Sequence, residues 1–417
     1  MKNALYAQSG GVTAVINSTA SGIIQAAKKH PEIGTVFAAR NGIIGALKEE
    51  LINTDLMSDD EVMGLNHTPS GAFGSCRYKL KGIDENREQY ERLIEVFKAH
   101  NIGYFFYNGG GDSQDTAHKV SQISQEMGFP ITCIGVPKTV DNDLPFTDNC
   151  PGFGSVAKYV ALSTLEASLD VASMCESSTK VFILEVMGRH AGWIAAASAL
   201  AQDRSHGSPH IILFPEVTFD EDKFLTKVDE TVKQNGYCVV VASEGAKYPN
   251  GQFLAEAGSQ DAFGHAQLGG VAPMLAGLIK EKLGYKYHWA VADYLQRAAR
   301  HISSQTDVDH AYALGEAAVN LAVEGHNAVM PYIVRDNSNP YQWHIETVSL
   351  DKVANVERML PAEYISKDGF GVTEACIEYL QPLIAGEAYP PYENGLPLYI
   401  KPKFILAEKK LKDEFVI

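Results

Sequence analysis

Short apolar runs alternate along this chain with longer stretches in which apolar residues recur every three or four positions. The runs at 3–8, 34–39, 102–107, 131–136, 181–187, 210–214, 237–242 and 289–293 are rich in Val, Ile, Phe and Tyr. Their near-continuous apolarity predicts strands buried on both faces. Between them, NREQYERLIEVFKAHN places Tyr90, Leu93, Ile94 and Phe97 on one stripe, and DEDKFLTKVDETVKQNG does the same with Phe224, Leu225, Val228 and Val232. Both read as amphipathic helices. Residues 153–175 follow Pro151-Gly152 and predict a long helix at a domain junction. Residues 327–348 read instead as a hairpin turning around Asn337 to Pro340. Strand–helix alternation of this kind predicts an α/β fold with mainly parallel sheets covered by helices on both sides.

A chain of 417 residues exceeds one ordinary core, so two domains are expected. Hydrophobic residues at 45% and charged residues at 21% fit a packed globular protein rather than a disordered one. The formal net charge of -16, without a basic patch, argues against nucleic acid as a partner. Small anions are a different matter, because cations in a pocket act at short range while distant charges are screened over about 8 Å. No window approaches 18 consecutive apolar residues and the start, MKNALYAQSGG, lacks a signal-peptide pattern, so the expectation is a cytoplasmic protein without a membrane partner. The six cysteines form no CxxC pair and read as free, buried thiols; zinc-ligand spacings are absent, and no zinc is expected.

Three strand ends carry glycines or charges suited to phosphate. LYAQSGGVTAVIN ends a strand in Gly10-Gly11; FFYNGGGDSQDTAHKV ends one in Gly109, Gly110 and Gly111, followed by Asp112 and Ser113 at a helix start. Glycine lets backbone N–H groups approach a ligand, and helix N-termini favour anions. One glycine pair alone is an ordinary turn, but three such exits in one chain are not a coincidence of turns. Neither GxxxxGK[ST] nor GxGxxG occurs at these places. The third exit, GVPKTVDNDLP, holds Lys138, Asp141 and Asp143. Phosphoryl transfer to a hydroxyl needs a base, cations over the transferring group and in-line placement. Asp141 suits the base, Asp143 a positioning role and Lys138 the cation. The bland alternative is that Asp-Asn-Asp caps a helix or turn and Lys138 is solvated. Arg189 after VFILEVMG, Glu244 in ASEGAK, and Tyr294 and Arg297 in ADYLQRAAR also follow apolar runs; singly, each fits a surface salt bridge.

The ordered set SGG, GSCRYK, GGGDS, PKTVDND, EVMGR, FPE, SEGA and YLQR, spread over residues 1 to about 325, resembles the 6-phosphofructokinase family, and within it the pyrophosphate-dependent branch. ATP-using members read GGDGS and PGTIDND where this chain has Asp112 and Lys138. An aspartate intrudes where a nucleotide's α-phosphate and sugar would lie, and a lysine adds a cation for a donor with no adenosine to grip. The resemblance implies two Rossmann-like α/β/α subdomains with mainly parallel sheets, the phosphofructokinase fold. Residues 1–152 plus about 297–345 would bind pyrophosphate and Mg2+, and 153–296 plus about 346–417 the sugar phosphate. It implies reversible Mg2+-dependent transfer from pyrophosphate to the 1-hydroxyl of fructose 6-phosphate, with Asp141 as proton acceptor and Lys138, Thr139, Asp143 and Arg189 at the reaction centre. Gly10, Arg77, Lys81, Gly110, Gly111, Asp112, Ser113 and Lys138 would contact pyrophosphate. Thr139, Asp141, Met187, Gly188, Arg189, Glu244, Tyr294 and Arg297 would contact the sugar phosphate.

The chain departs from the family at three places. The family's metal-binding aspartate in the glycine loop is Gly111 here, so Mg2+ would use Asp112, water or pyrophosphate oxygens. Two family arginines that reach the sugar phosphate across a subunit boundary align with Lys180 and His288, neither of which reproduces a two-pronged arginine contact; sedoheptulose 7-phosphate therefore stands beside fructose 6-phosphate. Residues 261–270 and the tail beyond about 345 are additions to the short bacterial ATP enzymes that bear on assembly, expected to be a homodimer or homotetramer with shared active sites. An ATP-dependent enzyme and a non-catalytic sugar-phosphate-binding subunit are the competing readings.

Overall fold

The computed structural model of the protein describes residues 1–260, 266–401 and 404–416; the first half of the 261–270 addition, 261–265, lies outside them. The buried strand β1 (Lys2–Ser9) starts a sheet that β2 (Ile33–Ala39) joins in parallel and β3 (Leu51–Asn53) in antiparallel register. After the two-residue β4 (Ser75–Cys76), the chain crosses to the other side of β1 and adds β5 (Ile102–Gly109) and β6 (Thr132–Pro137), both parallel. A second, wholly parallel sheet is built from β7 (Val181–Val186), β8 (Ile211–Leu213) and β9 (Cys238–Ser243). It is completed, after a ribbon of β10 (Glu256–Gln260) and β11 (Ala266–Leu268), by β12 (Tyr287–Val291). The hairpin β13 (Val329–Ser338) and β14 (Tyr341–Ser349) then returns to the first sheet. The spatial orders are β14-β13-β6-β5-β1-β2-β3 and β12-β7-β9-β8.

These orders place the crevices. Strands after β1 add first on one side and then on the other, so the carboxyl ends of β1 and β5 diverge at a topological switch point, where open α/β sheets take their ligands. In the second sheet β9 and β12 flank β7, and the exits of all three lie side by side.

The helices form where the apolar stripes fall. Ile83–Ala99 buries Tyr90, Leu93, Ile94 and Phe97. Glu221–Asn235 buries Phe224, Val228 and Val232, is capped by Asp220 accepting from Lys223 N at 3.1 Å, and stops at Gly236 with φ 83°. The junction helix Phe153–Met174 has no side-chain cap of its own kind. Its first N–H groups are met instead from another helix, Gln305–Val323: Gly152 N and Ser155 N each donate to the buried Asp307 carboxylate at 3.0 Å. A buried carboxylate at a helix N-terminus is stabilised by these donors, and here it ties the helix leading into the second sheet to one packed on the first.

The chain beyond β14 divides between the sheets, which corrects the expectation that all of 346–417 accompanies the second. Leu360, Cys376, Leu380 and Leu383 enter the core of the second sheet. After the small ribbon β15 (Tyr392–Glu393) and β16 (Leu396–Pro397), the chain lies along the outer edge of the first sheet. Asn53 N donates to Ile405 O at 2.9 Å and Ala407 N to Leu51 O at 2.7 Å. The buried Glu49 carboxylate, itself 2.6 Å from His100 Nε2, accepts Lys410 N at 2.6 Å. The physical reason is that β3 is a short edge strand with unpaired N–H and C=O groups, which the tail satisfies. All six cysteines are free; Cys76 and Cys175 are only partly buried, the other four fully.

Candidate active site

At the end of β1, Gly10 takes φ 71°, and a Cβ on it would stand 3.5 Å from Lys138 Nζ. A Cβ on Gly11 would come within 2.8 Å of Arg297 Nη1 and 3.8 Å of Arg77 Nη2. Three cations from three distant segments thus converge on one glycine pair. Lys138, the residue after β6, is 4% exposed and donates from Nζ to Gly11 O at 2.6 Å, so it is not the solvated strand-end lysine of the bland reading. Burial, helped by Arg297 and Arg77, pulls its pKa down to about 8 against the opposing pull of Asp141.

At the end of β5 the helix Gly111–Glu126 begins without a side-chain cap, leaving its first N–H groups for a ligand. Ser113 Oγ donates to Ser9 Oγ at 2.8 Å and joins the two glycine loops. Gln114 Nε2 donates to Gly109 O at 2.8 Å, fixing the end of β5. Asp112 sits in the first helical turn, half-exposed, with Lys79 Nζ 2.5 Å from its carboxylate. A Cβ at Gly111 or Gly110 would meet almost nothing, so both face open space. Lys81 is exposed and its carbonyl accepts from Tyr90 Oη at 2.9 Å.

The loop after β6 carries the carboxylates. Asp141 is partly exposed, and its N donates to Thr139 Oγ1 at 3.1 Å; the Thr139 hydroxyl also serves Asp143. Burial first, then Asp143 and Glu244, push the Asp141 pKa up to about 7 against Lys138 and Arg77. Asp143 is likewise raised by burial and by Glu357. Between them Asn142 has φ 55° and accepts Cys150 N at 3.0 Å. The next helix starts only at Phe153, so Asp141 and Asp143 do not cap one.

Across from this loop are the exits of β7 and β9. Gly188 has φ 130°, its N lies 3.3 Å from Glu244 Oε1, and its carbonyl accepts Ser243 Oγ at 2.5 Å. Met187 N donates to Gln296 Oε1 at 3.3 Å, which brings in the third exit. Burial raises the pKa of Glu244 while Arg189 opposes it. The Arg189 guanidinium lies 6.0 Å from the Phe253 ring centroid, and that of Arg297 lies 3.9 Å from Tyr294. Arg297 therefore stands between the two sheets, on the Gly10-Gly11 turn and next to Gln296, which bonds the β7 exit.

Two expected residues are not brought here by a single chain. Lys180 precedes β7 and bonds Cys175 O, and His288 is exposed on β12 in register with Phe182. At about 3.3 Å per residue the length of β7 puts roughly 20 Å between Lys180 and the exit that leads to Arg189. Conversely, the sequence reading missed Lys79, Gln296 and Arg358. Lys79 alternates with Arg77 and Lys81, a same-face signal in an extended segment that could have found it; Arg358 had none. Among the described residues no group of three or more His, Cys, Asp and Glu could hold a metal. The single carboxylate Asp112 at the mouth fits an ion held chiefly by phosphate oxygens and water, the habit of Mg2+.

A crevice with uncapped glycine loops and cations on one sheet, an arginine–glutamate exit on the other and a raised aspartate between them defines a phosphotransferase acting on a sugar phosphate. The chain belongs to the phosphofructokinase family: residues 3–322 match the family described as Phosphofructokinase. It is 63% identical over 417 residues to the pyrophosphate–fructose 6-phosphate 1-phosphotransferase of Methylococcus capsulatus, covering all of this chain and 99% of that one. It is 64% identical over 412 residues to the protein of the same name from Halomonas elongata, covering 99% and 98%. The crystal structure of the pyrophosphate-dependent phosphofructokinase from Marinobacter aquaeolei superposes with a TM-score of 0.92 at 64% identity, each chain fully covered.

Proposed function

We propose that the protein catalyses reversible transfer of a phosphoryl group from pyrophosphate to the 1-hydroxyl of fructose 6-phosphate, giving fructose 1,6-bisphosphate and phosphate. The observation that carries the donor assignment is the buried Lys138 ammonium on Gly11, beside a mouth spanned by Lys79 and Asp112. With Arg77 and Arg297 also against Gly11, this gathering of cations suits an inorganic diphosphate. Full-length relatives above 60% identity that bear the pyrophosphate-dependent name support the same reading.

In the forward direction Asp141 takes the proton of the 1-hydroxyl, and that oxygen attacks the near phosphorus of pyrophosphate. The bridging P–O bond breaks and phosphate leaves. Gly10, Gly11, the N–H groups of Gly110, Gly111 and Asp112, the Ser113 hydroxyl, Arg77 and Lys138 hold the donor, with Arg297 between donor and acceptor. Lys81, exposed on the same segment, is a peripheral donor contact. Met187, Gly188, Arg189, Glu244 and Tyr294 hold the sugar phosphate, while Thr139 and Asp143 keep Asp141 in place. Asp112, beside Lys79 at the helix start, would hold Mg2+, which would supply charge neutralisation on the phosphate oxygens. The division of labour between sheets follows, donor on the first and acceptor on the second.

Lys180 and His288 serve a neighbouring subunit's sugar phosphate in a homo-oligomer. Trp289, Val291, Tyr294 and Leu295 are exposed on or beside the open edge strand β12, an arrangement that invites a second copy. Free thiols suit the cytoplasm, and no helix among the described residues is long and apolar enough to cross a membrane. Purified protein with Mg2+, pyrophosphate and fructose 6-phosphate is expected to form fructose 1,6-bisphosphate, to stop when a chelator removes the metal, and to sediment as a dimer or larger. A higher kcat/KM with sedoheptulose 7-phosphate would move the acceptor, and one with ATP would move the donor.

A further inference from the structure

The family match ends at residue 322, yet a three-residue piece of the chain beyond it, residues 358–360, touches both walls of the site. On the first wall, Arg358 N donates to Asp143 O at 2.6 Å. Its guanidinium donates to Asn142 O from Nε at 3.1 Å and from Nη2 at 2.9 Å, and from Nη1 to Thr147 O. On the second wall, Trp193 Nε1 donates to Arg358 O at 3.1 Å, with the guanidinium 4.9 Å from the Trp193 ring centroid. Leu360 N donates at 2.9 Å to Glu216 Oε1, which also accepts Gly192 N at 2.9 Å.

The loop that Arg358 grips is held by side-chain bonds rather than by secondary structure: Asn142 Nδ2 donates to Tyr379 Oη at 2.9 Å, Asn142 Oδ1 accepts Cys150 N at 3.0 Å, and Thr147 Oγ1 accepts Ile333 N at 3.2 Å. It belongs to no helix or sheet ladder, Asn142 sits in the left-handed region, and Asp141 and Asp143 raise each other's energy when both are charged. Without Arg358 those side-chain bonds remain, but the Asn142 and Thr147 carbonyls lose the guanidinium that binds them and can turn to water. A planar guanidinium that takes two carbonyls at fixed spacing prevents this, which a point-charge ammonium cannot do. Because the same residue is hydrogen-bonded to Trp193, it also fixes the loop's distance from the wall that carries Arg189.

We propose that Arg358 is the positioning residue for Asp141, a clamp supplied by the C-terminal chain that sets the carboxylate loop against the sugar-phosphate wall. This rests on the phosphoryl-transfer reading above, and Arg358 itself touches neither substrate. Arg358→Lys is expected to lower kcat by about 10- to 100-fold, the range for a reacting group misplaced by about 1 Å. Both Michaelis constants should change less than about threefold, and guanidinium ion added to Arg358→Ala should restore at least part of the lost kcat. Trp193→Phe, which keeps an aromatic ring but removes the Nε1 donor and part of a buried side chain's volume, should lower kcat in the same way but less, measured on variant protein whose melting temperature shows it folded. Wild-type kcat in either folded variant, or a raised KM at unchanged kcat, overturns the proposal. If the wild type proves to use another donor, the reaction above fails on its own, and the same variants are read with the donor that works.

Discussion

Asp141→Ser lowers kcat by about 100-fold or more, the usual loss when a positioned base is removed, while both Michaelis constants move only a few-fold. The reason is where the residue sits. Burial raises the proton affinity of Asp141 first, Asp143 and Glu244 add to it, and Lys138 and Arg77 lower it. That balance leaves a carboxylate able both to accept a proton and to give it back in the reverse reaction. Serine keeps a polar atom near the sugar, so binding survives while proton transfer does not. Steady-state rates in both directions check this. A variant that loses affinity but keeps its turnover contradicts the role.

Lys138→Met is expected to lower kcat/KM for pyrophosphate by about 100-fold, the scale seen when a preorganised donor to a developing charge is lost. Its second signature is in the pH profile. In the free enzyme, activity falls below about 7 as Asp141 takes up its proton and above about 8 as Lys138 gives its proton up. The sign follows from the roles: the base must be ionised, so acid removes it, and the ammonium must be charged, so alkali removes it. These limbs belong to the interacting cluster rather than to either residue alone. The methionine variant should lose the alkaline limb and keep the acidic one. The double change Asp112→Gly with Lys138→Gly clears the mouth and the recess, and should raise the ratio of ATP to pyrophosphate use. An unaltered ratio would mean that donor choice lies elsewhere.

Much of this architecture was legible in the chain. The apolar runs marked the long strands because parallel strands covered on both faces must be apolar throughout, and the stripes of Ile83–Ala99 and Glu221–Asn235 marked helices because one face alone is buried. The glycine exits and PKTVDND were readable because backbone approach to phosphate demands those residue types in consecutive positions. Lys79 was half legible, as part of a charged alternation whose partner Asp112 is 33 residues on.

What the sequence determined by itself was therefore what depends on neighbours in the chain: the long strands, the amphipathic helices, and the glycine-rich and charged exits that follow the strands. Tertiary structure alone decided which of these meet. It buried Lys138 on Gly11, swung Arg297 onto the donor glycines, kept Lys180 at the far end of its strand, laid the tail along β3, and brought Arg358 across 216 residues to Asn142. Periodicity and motif spacing report contacts a few residues apart. A carbonyl held by a guanidinium from the other end of the chain obeys no local rule, because its partner is chosen by how two sheets pack.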